Sequence, residues 1–86
     1  MPYKVLFDGK ADEDLAAMPS ASRKQILRAI YERLTTAPLS FGKPLKHDLS
    51  GLRALRVGNW RIGYVVEDES VIIEHIELRR DAYKGW

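Results

Sequence analysis

The dipeptide Gly58-Asn59 separates two segments, RALRV and WRIGYVV, in which apolar and polar residues broadly alternate. Both residues tolerate positive φ, and such a pair between alternating segments is a strong short-range signal for a β-hairpin. A two-residue loop also sets the register, so Val57 stands opposite Trp60, Leu55 opposite Ile62, and Arg56 opposite Arg61. Leu55, Val57, Trp60, Ile62, Tyr64 and Val66 then share one face, which a helical layer must cover. The other face, turned to solvent, receives Arg56 and Arg61 with Cβ atoms about 5 Å apart. Like charges directly opposed are unfavourable, so the register that buries the apolar set forces two guanidinium groups together. An anion between them relieves the repulsion, because guanidinium forks grip phosphate oxygens in pairs. Pairing with Glu67 or Glu74 of a neighbouring strand relieves it too, and the hairpin pattern leaves both solutions open.

The other elements follow from periodicity and punctuation. Tyr3 to Phe7 predicts a first strand, ended by Gly9. Leu15 and Met18, three apart and preceded by Asp12, Glu13 and Asp14, predict a short helix over 12–18 that stops before Pro19. Ser20 or Ser22 suits the cap of a second helix. There Ile26, Ile30 and Leu34 recur every fourth residue and Leu27 and Tyr31 widen the stripe, while Arg23, Lys24, Arg28, Glu32 and Arg33 face water. Residues 37–51, punctuated by Pro38, Gly42, Pro44 and Gly51, read as loop. A turn at 67–70 leads into VIIEHIEL, where strict alternation puts His75 on the face of Val71 and Ile73. The order is β-α-α-β-β-β: an α+β domain, a mostly antiparallel sheet with two helices on one face and a short C-terminal segment.

Composition narrows the function classes. A chain of 86 residues supports a single domain over 1–86. With no cysteine it has neither a thiolate nucleophile nor a Cys-based zinc site, and two histidines leave a metal site to carboxylates. Apolar runs fall far short of the ~20 residues of a membrane span. The start, MPYKVLFDGK, lacks the apolar core of a signal peptide, so a cytoplasmic location is expected. No phosphate loop, nucleophile elbow or dinucleotide fingerprint is present, and no cofactor is implied. The net charge of only +2 conceals segregation: residues 43–61 sum to +4 and residues 62–78 to −5. Arg79, Arg80, Tyr83, Lys84 and Trp86 add a second cationic and aromatic group, which suits nucleic acid through phosphate pairing and base stacking, or equally an apolar cap on a small core.

The segments KPLKHDLSGLRALRVGNWRIGYVV and IIEHIELRRDAY resemble the RelE/ParE toxin superfamily of type II toxin–antitoxin systems. The resemblance implies the RelE-like fold and a ribosome-dependent mRNA endoribonuclease that inhibits translation and is held in check by a cognate antitoxin. In that family the ribose 2′-hydroxyl attacks the adjacent phosphate, leaving a 2′,3′-cyclic phosphate and a 5′-hydroxyl. Such chemistry needs no metal if cations stabilise the phosphorane and a base takes the proton. Carried over by position, Tyr83 matches the tail tyrosine that acts as base, its pKa lowered from about 10 by neighbouring cations. Arg61 stabilises the phosphate, Arg79 protonates the leaving oxygen, and Arg56 matches the basic position ending the first hairpin strand. Lys43, Lys46, Arg53, Arg80 and Lys84 fall to RNA binding.

The expected partners are therefore the antitoxin, the ribosome and mRNA, with no membrane and no small-molecule ligand. One position departs from the family pattern. Where a second Lys or Arg usually stands, two residues before Arg56, this chain has Ala54, while Arg53 points to the opposite face of a regular strand. The site is one cation short, unless a β-bulge swings Arg53 inward. The alternative function is that of ParE-like members, which bind DNA gyrase and lack nuclease activity.

Overall fold

The computed structural model describes residues 2–45 and 51–78. Strand β1 spans Lys4–Phe7, followed by helix α1, Gly9–Ala17, and helix α2, Ser20–Ala29, which runs on through a π-helical turn, Ile30–Leu34. A one-turn helix α3, Pro38–Phe41, and a two-residue strand β2, Lys43–Pro44, precede the strands β3, Arg53–Val57, β4, Trp60–Glu67, and β5, Ser70–Leu78. The five strands form one sheet in the order β1-β5-β4-β3-β2. Only β1 and β5 run parallel; the other neighbours are antiparallel. This is the expected α+β arrangement with one strand more, because the segment read as loop supplies α3 and β2.

The core lies between the helices and one face of the sheet. Ala11, Leu15 and Met18 of the first helical segment, with Ile26, Ala29, Ile30 and Leu34 of the second, meet Leu55, Val57, Ile62, Tyr64, Val71, Ile73 and Ile76. Apolar burial of about 25 cal/mol per Å² makes this single layer the principal stabilising contribution. The hairpin register is the expected one: Val57↔Trp60, Leu55↔Ile62 and Arg56↔Arg61, with Gly58 at φ +59.

Several local expectations change. Asp8, not a residue further on, opens α1; its carboxylate accepts from Lys10 N, so the helix begins at Gly9 and ends at Ala17. Pro19 occupies the cap position of α2, so Ser20 and Ser22 lie inside the helix and cap nothing. Arg23 does not face water: its Nε donates to Leu15 O at 2.8 Å and its Nη2 to Met18 O at 3.0 Å, satisfying the carbonyls where α1 ends. Tyr31 falls off the buried stripe and is half exposed.

The largest departure is in β5. The pairing Gly63↔His75 is followed by Tyr64↔Ile73, which leaves Glu74 as an extra residue in a β-bulge. Strict alternation from Val71 and Ile73 would drive His75 and Glu77 into the core and turn Ile76 out. Burying a carboxylate without partners is far costlier than a local ladder defect, and the bulge reverses the assignment. Ile76 is buried, whereas His75 and Glu77 join the face away from the helices. Beyond the end of β1, the edge of β5 is served by α1, where Asp14 Oδ2 accepts from Ile76 N at 2.8 Å.

Candidate nucleic-acid interface

Register alone assembles the site on the sheet face away from the helices. Arg56 of β3, Arg61 of β4 and Glu77 of β5 form one cross-strand row. The neighbouring row reads Lys43, Ala54, Gly63 and His75 across β2 to β5. Directly opposed residues have Cβ atoms about 5 Å apart, so both rows fit within the reach of lysine and arginine side chains. Arg56 is exposed, but Arg61 is only 9% exposed, contrary to the solvent-facing position expected of it. The acidic neighbour of Arg61 is Glu77 and not Glu67 or Glu74, a direct result of the bulge.

A cation does stand beside Ala54. Lys43 is directly opposite it, on the same face, and the two line a cleft of about 640 Å³ together with Arg33, Phe41, Arg56 and Arg61. Four of these residues are cations, and no carboxylate lines the cleft among the described residues. Such a concentration of one sign focuses the field on an anionic ligand.

Arg53 takes no part in this row. Opposite Tyr64 on the helix-covered face, its Nη2 donates to Leu39 O at 2.8 Å and to Gly42 O at 2.6 Å. The pairing of β3 with β4 is regular there, so no bulge swings Arg53 across, and its guanidinium fastens α3 to the sheet. Tyr64 does the same from the core, donating to Pro38 O at 2.6 Å. Lys46, Arg79, Arg80, Tyr83 and Lys84 lie outside the described residues, although Leu78, opposite Trp60, brings the chain to within one position of the Arg61 row.

Arg33 and Phe41 were not among the sequence candidates. Arg33 reads as a solvent-facing helix position and Phe41 as a loop residue, and only the fold brings them to one cleft. Among the described residues no group of three or more His, Cys, Asp or Glu is placed to hold a metal ion. No helix of the described residues is long and apolar enough to cross a membrane.

Comparison with known proteins agrees with this architecture. The toxin RelG of Mycobacterium tuberculosis is 34% identical over 86 residues, which cover 98% of this chain and 99% of RelG. The toxin RelE of the same organism is 33% identical over 85 residues, covering 96% of this chain and 88% of its own. In the crystal structure of the M. tuberculosis toxin–antitoxin complex RelBE2, one chain superposes with a TM-score of 0.84 at 32% identity. That alignment covers 92% of this chain and 93% of that one. The family model described as ParE toxin of type II toxin–antitoxin system, parDE, matches residues 5–83, and the chain belongs to the RelE/ParE toxin family of type II toxin–antitoxin systems.

Proposed function

We propose that this toxin is an mRNA endoribonuclease of the RelE type that cuts messages on the ribosome. One observation carries the reading: the hairpin places Arg56 and Arg61 in direct opposition on a face where Lys43 adds a third cation. Glu77 beside Arg61 offsets part of that charge, yet Arg56, Lys43 and Arg33 leave the cleft cationic, with guanidinium forks placed to grip the oxygens of a phosphodiester.

In this mechanism Tyr83 takes the proton of the ribose 2′-hydroxyl, and the 2′-oxygen attacks the adjacent phosphorus. Arg61 and Arg56 neutralise the charge that builds on the non-bridging oxygens, the largest contribution that fixed cations make to such a step. The 5′-oxygen departs with a proton from Arg79, leaving a 2′,3′-cyclic phosphate on one fragment and a 5′-hydroxyl on the other. The assignment of Arg79 to the leaving-group side rests on its match to the family's tail arginine, directly after Leu78 in sequence. Lys43 supplies the cation that Ala54 does not.

The partner that silences the toxin is an antitoxin, as in the RelBE2 complex. An acidic, amphipathic segment that folds on the cationic cleft would block it, and electrostatic attraction would speed that encounter at low salt. The matching family model is described as a ParE toxin, and the second reading is therefore the one expected of ParE-like members, binding to DNA gyrase. Expression of the toxin followed by mapping of RNA ends separates them. New 5′-hydroxyl ends within translated codons establish the nuclease; intact message with accumulating broken DNA establishes the gyrase inhibitor.

A further inference from the structure

The cationic cleft does not end at the Arg56–Arg61 pair. It continues around the β3 edge of the sheet to Arg33, at the end of the α2 segment, and to Phe41, the last residue of α3. Phe41 is 50% exposed, and a single exposed apolar residue is ordinary. Its setting is not. Carbonyls on both sides of it are held: Pro38 O by Tyr64, Leu39 O and Gly42 O by Arg53. Phe41 N itself donates to Ala37 O at 3.1 Å. The ring is thus carried on backbone fastened to the sheet at three carbonyls, beside four cations. An aromatic face on a rigid mount next to phosphate-binding groups is the arrangement by which proteins hold single-stranded nucleic acid.

We infer that Phe41 and Arg33, with Lys43, form a nucleotide subsite in which a base flanking the cleaved one stacks on the Phe41 ring while its phosphate is held by the two cations. This rests on the nuclease reading for its biological substrate and extends that reading to the contacts made away from the reacting atoms. Stacking on a phenyl ring is available to every base, so the subsite contributes grip and strand direction more than base choice. A second cleft among the described residues, about 600 Å³, is lined by Asp14, Glu77, Met18, Trp60 and Leu78 and carries the wrong sign for a polyanion.

The test uses the purified full chain and a 2′-O-methyl RNA hexanucleotide bearing 2-aminopurine, which cannot be cleaved and whose fluorescence is quenched by stacking. The wild-type protein is expected to bind and quench. Phe41→Ala should weaken binding about tenfold and abolish the quenching, as loss of one stacked base does. Phe41→Leu, apolar but without a π-face, should resemble Phe41→Ala, and Phe41→Trp should resemble wild type. Arg33→Gln should lower the slope of log affinity against log salt by about 0.7, the value for one phosphate contact on a single strand. Circular dichroism establishes that each variant is folded. The subsite is overturned if the wild-type protein fails to bind the oligonucleotide, or if Phe41→Ala binds and quenches like wild type. It is equally overturned if Phe41→Ala loses only antitoxin affinity, which would make the cleft a protein interface. Mapping of mRNA ends is read separately: Phe41-dependent binding with intact message sinks the nuclease reading alone, and cleavage indifferent to Phe41 sinks the subsite alone.

Discussion

Moving one charge across a strand pair tests whether Lys43 does the work of the cation missing at Ala54. Lys43 and Ala54 are directly opposed, so exchanging them by Lys43→Ala with Ala54→Lys shifts the ammonium root by about 5 Å on the same face. Gly63, on the other flank of Ala54, has no side chain to obstruct the new lysine. A unit charge about 5 Å from a phosphate is worth ~0.8 kcal/mol in water and ~3.3 kcal/mol at an effective dielectric of 20. Lys43 is exposed, which places its contribution near the lower figure, ~1 kcal/mol or about fivefold in rate. Lys43→Ala should therefore slow single-turnover cleavage of ribosome-bound message about fivefold. The double variant should recover to within about twofold of wild type, and Ala54→Lys alone should exceed wild type. A fully active Lys43→Ala, or a double variant no better than the single one, refutes the assignment of Lys43 to the missing charge.

Gly42→Ala should destabilise the fold by about 1–3 kcal/mol in urea denaturation, the usual cost of overpacking. Its new Cβ would lie 2.0 Å from the hydroxyl of Tyr64, which is fully buried and cannot yield. Asp14→Ala should cost about 1–3 kcal/mol because Ile76 N loses its acceptor, while Asp14→Asn retains a carbonyl there and should cost less; equal losses would show that the hydrogen bond is not the cause. Arg61→Met keeps the covered stem and removes the charge, so growth inhibition should disappear in a protein that remains folded by circular dichroism. Toxicity surviving in that variant removes Arg61 from the chemistry. Tyr83→Phe should reduce cleavage at least a hundredfold with little change in RNA affinity, a loss typical of an absent general base; parallel loss of both would mean that Tyr83 only packs.

The hairpin and the Arg56–Arg61 opposition were legible because a two-residue loop dictates pairing locally, within ten residues of sequence. So was the helical stripe of Ile26, Ile30 and Leu34, whose spacing survives the π-helical turn. The bulge at Glu74 left a trace that alternation rules overlook: apolar residues at 71, 73, 76 and 78 break period two after Ile73. Alternation carried through that break puts His75 on the core face and hides Glu77 as the neighbour of Arg61; the bulge reverses both.

The sequence by itself determined the order of the two long helices and the four longer strands, the buried faces of the hairpin and the crowding of guanidinium groups opposite them, all consequences of short-range periodicity and one tight turn. Only tertiary structure decided that β2 would lay Lys43 against Ala54, that Arg53 would fasten α3 instead of facing RNA, and that Arg33 and Phe41 would meet at one cleft. Those outcomes depend on hydrogen bonds between distant residues, Tyr64 with Pro38 26 positions away and Arg53 with Leu39 14 positions away. Such partners are chosen by which buried polar groups remain to be satisfied once the chain has packed, a condition that no local window of sequence contains.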